Sequence, residues 1–304
     1  MKRDAISALS SPLFIARTND WFRLVKLRIS LMNAVSALAG YVVFRPYIGS
    51  DLIATVSSVF FLACGSAALN NYQDRNRDGL FSRTRERPLP KQLISGRHAL
   101  VVSMILMIIG LGGLARVHSM GSPVVLLGVL AVILYNGVYT PLKSKTVLAI
   151  IPGSICGMLP PLIGWIAAGG NIYSLQIMVL MAVIGLWQLP HFWLILLSGH
   201  EEYRHAGMPN MLRVFSIDQL NRIMFVWVLA FACVAMVLPM VRLIINTWLK
   251  GLLALYLMML VCFFGNVLFF RYKVSGYSFL FKYLNISMGY VLLVTIADRL
   301  FLRM

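Results

Sequence analysis

The sequence predicts an all-α integral membrane protein, a bundle of nine transmembrane helices, and three observations carry that prediction. Hydrophobic residues make up 60% of the 304 and charged residues 12%, with a mean hydropathy of +0.82; a soluble domain carries about twice that charged share. Nine apolar runs are each long enough to cross a bilayer, which takes about 17 residues or more. Finally, the basic residues collect in alternate connections between those runs, as the two faces of a membrane require.

The runs are justified in turn. The first, 24–44, follows a basic segment and lacks a small-residue cleavage site, so it reads as a retained helix and not a signal peptide. Residues 1–23 are then a cytoplasmic tail and 24–304 a single transmembrane domain. The second run, 52–71, leads directly into the charged stretch LNNYQDRNRDGLFSRTRERPLP. The third and fourth are 99–115 and 123–139. The fifth, 147–168, contains Pro152, Pro160 and Pro161 and is expected to be irregular, which membrane depth tolerates only beside a cavity or within protein. Its Gly153-x-x-x-Gly157 reads as a site of close helix packing. The sixth, 172–198, holds His191 after Pro190. The seventh, eighth and ninth are 224–241, 249–270 and 283–302.

Of the 27 Lys and Arg, six (Arg45, Arg116, Arg242, Lys250, Arg299 and Arg303) fall on one side and the remaining 21 on the other. The positive-inside rule makes the richer side cytoplasmic, with the N-terminus inside and, after nine spans, the C-terminus outside. A net charge of +17 so distributed calls for a membrane, with its lipid, and not for nucleic acid. The four cysteines, Cys64, Cys156, Cys233 and Cys262, all lie within apolar runs without metal spacing and read as packing residues.

Six of the ten acidic residues, Asp74, Asp78, Glu86, Glu201, Glu202 and Asp218, fall in the cytoplasmic connections after the second and sixth runs. Four helices separate those connections, the spacing of a duplicated four-helix unit with one helix added. On a helix continuing out of the second span, Asn70, Asp74 and Asp78 recur every four residues and share one face. Two carboxylates and an amide oxygen in a row suit a hard cation such as Mg²⁺, which keeps waters and shares its shell with substrate phosphates. Arg83, Arg87 and Lys91 flank the row and are suited to phosphate oxygens. The alternative is an ordinary loop whose acids neutralise basic neighbours.

Asn70-x-x-x-Asp74-x-x-x-Asp78, followed by Arg83-Thr84 and Arg87-Pro88, resembles the first signature of the UbiA superfamily of intramembrane prenyltransferases. YTPLKSKT (139–146), GSICGMLPPLIGW (153–165) and WQLPHFW running into EEYRHAGMP (187–209) are most similar to its haem-farnesylating branch. The resemblance implies a nine-span helical bundle in the inner membrane, with Mg²⁺ held between two acidic loops. It also implies transfer of farnesyl from farnesyl diphosphate to a vinyl group of haem B, with haem A synthase or terminal-oxidase assembly downstream. Position by position, it assigns Asn70, Asp74 and Asp78 to the metal diphosphate, Arg83, Arg87 and Lys143 to phosphate oxygens, and Glu202 to the second-loop carboxylate. The branch usually carries aspartate at that last place; here Glu201 precedes Glu202, and the choice between the two glutamates stays open.

Ionising an allylic diphosphate builds negative charge on the leaving group, for cations to stabilise, and positive charge on carbon, for aromatic faces. Tyr139 and Tyr203 are the candidates for the second role, or else interface anchors. His191 reads as a haem-iron ligand, or as a neutral histidine bonded to a carbonyl freed by Pro190 or near Gln188. Trp165 and Trp187 read as walls of a porphyrin-sized space, or as plain packing. Three other functions fit parts of the pattern: prenylation of a quinone precursor or chlorin, a transporter, and a catalytically silent haem carrier. A transporter calls for acids at the midplane of broken helices, whereas these lie at helix ends.

Overall fold

The computed structural model describes residues 16–199, 202, 211–270 and 275–300. Glu201 and Tyr203 lie outside them. A short helix, α1 (Thr18–Leu24), precedes nine spanning helices. These are α2 (Leu27–Phe44), α3 (Ser50–Asp78), α4 (Gly96–His118), α5 (Pro123–Leu142), α6 (Ile150–Ala167), α7 (Leu175–Ser198), α8 (Ile217–Ala235), α9 (Thr247–Phe270) and α10 (Ser275–Leu300). The boundary expected at residue 23 falls inside α1.

Each spanning helix packs on the next in the chain, and α10 returns to α2, so the nine close into a ring. Two contacts cross it, α2 with α6 and α7 with α10. The α2–α6 crossing brings backbone against backbone: a Cβ on Gly40 would lie 1.9 Å from the Pro161 carbonyl oxygen, and one on Gly164 1.9 Å from that of Ala37. Small residues permit this approach, and dispersion between the touching helices rewards it. The expected packing pair, Gly153 and Gly157, serves otherwise. Gly153 faces the rings of Tyr139 and Phe192 and Gly157 faces the Gln188 amide, so both make room for side chains.

Two expectations are corrected. The fifth span is a continuous α-helix over Ile150–Ala167 with Pro160 and Pro161 inside it. The irregular backbone lies one span earlier, where α5 widens into a π-helix over Ile133–Tyr139. Thr140 closes that turn, its hydroxyl donating to the Tyr135 carbonyl at 2.7 Å. The seventh helix starts at Ile217, well before the apolar run, because Ser216 and Gln219 form a reciprocal capping box ahead of it. It ends at Ala235, and turns replace its expected last residues.

Candidate active site

At 29 residues, α3 is about 44 Å long at 1.5 Å per residue, against a hydrocarbon core of about 30 Å. Its last turns therefore stand clear of the apolar layer while keeping helical spacing. Asn70, Asp74 and Asp78 occupy one face there and are 1%, 3% and 7% exposed. Their burial comes from three separate segments, each contributing one cation. Lys26 donates to Asn70 Oδ1 at 2.5 Å. Lys143 pairs with Asp74 Oδ2. Arg87 reaches both oxygens of Asp78, at 2.9 and 2.7 Å, and Asn71 Oδ1 at 3.2 Å.

Local structure explains why those cations arrive. Lys26 sits between α1 and α2 in the left-handed region, φ 48°, and this break redirects the chain so that its side chain points at α3. Leu24, one turn back, is fully buried with Ala68, Leu89, Ile94 and Ala99 under the 79–95 loop. Asn71 ties the two together, donating to the Leu24 carbonyl at 2.6 Å. The loop is anchored by Thr84, which donates to the Asp78 carbonyl at 2.8 Å. Lys143 follows directly on α5, whose Thr140 hydroxyl accepts from Asn70 Nδ2 at 2.8 Å.

Two carboxylates face three cations, so the cluster carries surplus positive charge in a low-dielectric setting. Burial holds the Lys26 ammonium well below the ordinary lysine range, helped by Arg87 and Lys143 and opposed by Asp74 and Asp78. Lys143 is lowered too, chiefly by burial, with Asp74 pulling the other way. Such groups gain from any anion brought among them.

The donor set fits a hard divalent cation. It is all oxygen, and Asp74 Oδ1 is buried with no hydrogen-bond partner, 4.0 Å from Arg77 Nη1. Among the described residues no three His, Cys, Asp or Glu side chains form a metal group; the row supplies two carboxylates and one amide. Glu202 accepts from the Ser82 amide at 3.1 Å, touching the loop that follows the row and not the row itself.

A family model described as the UbiA prenyltransferase family matches residues 30–287. The chain belongs to this UbiA prenyltransferase family. A protoheme IX farnesyltransferase of Oleidesulfovibrio alaskensis is 32% identical over 91% of this chain and 95% of its own. One of Geobacter sulfurreducens is 40% identical over 61% and 68%. Among solved structures, a digeranylgeranylglyceryl phosphate synthase superposes with a TM-score of 0.72 at 16% identity, covering 92% of this chain and 98% of its own. A UbiA homologue from Archaeoglobus fulgidus bound to GPP and Mg²⁺ gives 0.64 at 15%, covering 90% and 99%. The all-α ring of spans is thus the UbiA fold, in a multi-pass membrane protein.

Within this UbiA fold the remaining candidates fall in three places. Tyr139 belongs to the row's surroundings: Lys143 Nζ lies 5.5 Å from its ring centroid, Tyr135 stacks on it at 5.6 Å and Phe192 lies at 5.9 Å. Deeper, His191 lies between Trp187 and Phe281 at 4.7 and 4.8 Å, and its Nδ1 is buried without a hydrogen-bond partner. Neither alternative bond for it forms at that nitrogen; Gln188 Nε2 instead donates to the Ser154 carbonyl at 3.1 Å, and Trp187 Nε1 to that of Leu284 at 2.8 Å.

Trp165 is elsewhere. It sits two residues before the end of α6, and Trp187 lies twelve residues into the antiparallel α7, so roughly 15 Å of helix rise separates them. They do not flank one space. Arg83 is exposed, and Lys91 is taken by Glu86. Sequence reasoning missed Lys26, whose place at the cytoplasmic edge of a span is indistinguishable from ordinary positive-inside charge. It also missed Tyr135 and Thr140, which face the site through the π-turn.

Proposed function

We propose that this chain transfers a farnesyl group from farnesyl diphosphate to a vinyl group of haem B, forming haem O. What supports the reading most directly is the row Asn70–Asp74–Asp78, each member matched by its own cation, in a family member similar to protoheme IX farnesyltransferases along nearly its whole length. Asn70, Asp74 and Asp78 would hold Mg²⁺, with Glu202 or Glu201 as the second acidic side. The metal, when bound, neutralises charge building on the diphosphate.

The rest falls to the protein's own groups. Lys26, Lys143 and Arg87 bind phosphate oxygens and stabilise the leaving group as the allylic C–O bond breaks and its electron pair leaves with diphosphate. The face of Tyr139, backed by Tyr135, stabilises positive charge on the departing carbon. Tyr203 belongs to the same aromatic set by resemblance. The vinyl π electrons then form the new C–C bond. Apolar walls keep water from the cation, which hydrolysis to farnesol would otherwise consume. His191 and Trp187, with an open imidazole nitrogen beside aromatic faces, are suited to the porphyrin; Arg83 is a phosphate ligand only after its exposed side chain turns inward.

In this reading 24–304 is one catalytic domain of the inner membrane, with the acidic row and N-terminus cytoplasmic and the C-terminus outside. The product passes to haem A synthase or terminal-oxidase assembly. Membranes containing the protein, given haem B, farnesyl diphosphate and Mg²⁺, are expected to yield farnesylated haem by mass spectrometry, and Asp74→Ala to lose it. In competition, 4-hydroxybenzoate should go unprenylated; its prenylation in preference to haem would transfer the assignment to a quinone-precursor enzyme.

A further inference from the structure

At the end of the bundle opposite the acidic row, α2, α6, α7, α10 and the turn between α8 and α9 meet around a cleft of about 390 Å³. Its polar wall carries Arg242, Arg299, Ser174 and Gln176, and its apolar wall Phe44 and Trp165. No acidic side chain lines it among the described residues. The nearest acid in sequence, Asp298, is 1% exposed and occupied by the backbone amides of Ile245 and Asn246 at 2.7–3.0 Å.

Arg299 is 7% exposed and fixed in place, its Nε donating to the Leu243 carbonyl at 3.3 Å and its Nη2 to that of Arg242. Those bonds orient the guanidinium without neutralising it. Arg242 is exposed at the rim, held at φ 60° by the turn whose carbonyls Arg299 grips. The start of the 24-residue α7 adds the positive end of a helix dipole beside Ser174. On the other wall, Trp165 meets Phe44 edge-on at 5.1 Å and donates its indole N–H to the Asn171 carbonyl at 2.9 Å, the amphipathic placement of an interfacial tryptophan.

From this geometry we infer that the cleft binds the phosphodiester headgroup of an anionic phospholipid from the leaflet opposite the acidic row. Two arginines and a helix N-terminus meet the phosphate, and Phe44 and Trp165 meet the first carbons of the chains. A free phosphate uses only the polar half of the cleft; a zwitterionic lipid brings its choline to a wall that is uniformly positive. Loading this site ties together five helix ends, including the last turn of α10, which closes the ring.

The test uses the full-length protein in nanodiscs of mixed phosphatidylglycerol and phosphatidylcholine, with retained lipid read by native mass spectrometry. Phosphatidylglycerol should be enriched over its bulk share, and Arg242→Gln should cut that enrichment roughly fivefold, as loss of one arginine–lipid contact implies. Arg97→Gln, at the other end of the bundle, controls for the chain's general basicity and should change it little. Gln176→Ala gives a second, uncharged probe and should weaken retention while leaving prenyl transfer at the wild-type rate. Enrichment equal in wild type and Arg242→Gln, or as sensitive to Arg97→Gln as to Arg242→Gln, overturns the inference. Displacement of the lipid by excess inorganic phosphate overturns it in favour of a free-anion site.

Discussion

Lys26 donates to Asn70 across 2.5 Å, joining the break before the first span to the face of the second that carries the acidic row. The amide oxygen of Asn70 can accept from a cation or bind a metal, and its amide nitrogen is already spent on Thr140. Lys26→Met is therefore expected to lower kcat/KM for farnesyl diphosphate by about 10- to 100-fold, the scale of one lost charge-stabilising donor, while Lys26→Arg retains most of it. Steady-state kinetics with haem saturating checks this. An unchanged kcat/KM in Lys26→Met would remove the residue from the site.

The Lys143–Asp74 pair is buried on its acidic side, so deleting the lysine strands a carboxylate. Lys143→Met should lower the metal-free unfolding temperature, and Mg²⁺ should restore more stability to the variant than to wild type, since a ligand that binds only the folded state stabilises it by mass action. Thermal unfolding in detergent with and without Mg²⁺ measures both effects. Equal Mg²⁺ shifts in the two proteins would show that Asp74 does not face the ion.

Asp78 has both oxygens engaged by Arg87, whereas Asp74 keeps one oxygen open. Asp74→Asn is expected to cost about 10² to 10³ in kcat, with residual activity requiring far higher Mg²⁺. EDTA should abolish activity in the wild type. Activity that survives EDTA contradicts a metal role for the row.

His191→Ala removes an imidazole whose Nδ1 has no partner to lose. The expected outcome is a raised KM for haem and an altered haem absorption spectrum, with KM for farnesyl diphosphate unchanged. A variant with normal haem kinetics and spectrum would leave His191 as packing between Trp187 and Phe281.

Gly164→Ala places a methyl 1.9 Å from the Ala37 carbonyl oxygen, against backbone that cannot swing aside. Overpacking of that kind costs about 1–3 kcal/mol, so the α2–α6 crossing should loosen and the unfolding midpoint fall. Gly112→Ala, with nothing within 4 Å, is the matched control and should leave the midpoint unchanged.

Hydropathy made the spans legible because lipid forces every backbone group into helix, and four-residue spacing made the row legible because α3 continues unbroken through Asp78. Hydropathy says less where a helix leaves the lipid, which is why the start of α8 at Ile217 and the whole of α1 escaped it. Proline suggested irregularity in the wrong span: α6 holds Pro160 and Pro161 in regular helix, while the π-turn at Ile133–Tyr139 carries no proline at all. Lys26 was invisible for a different reason, since its meaning comes from a fold-back onto a residue 44 positions away.

The overlength of α3 sets where the chemistry meets the two solvents. Because its reactive face begins past the oil boundary, the pyrophosphate never has to shed its hydration to react, and the isoprenoid tail never has to leave the lipid to be presented. The leaving group departs at the shoreline, already in water. Release of the ionic product is thereby decoupled from release of the greasy one, which can drift sideways along the bilayer toward whatever protein takes it next.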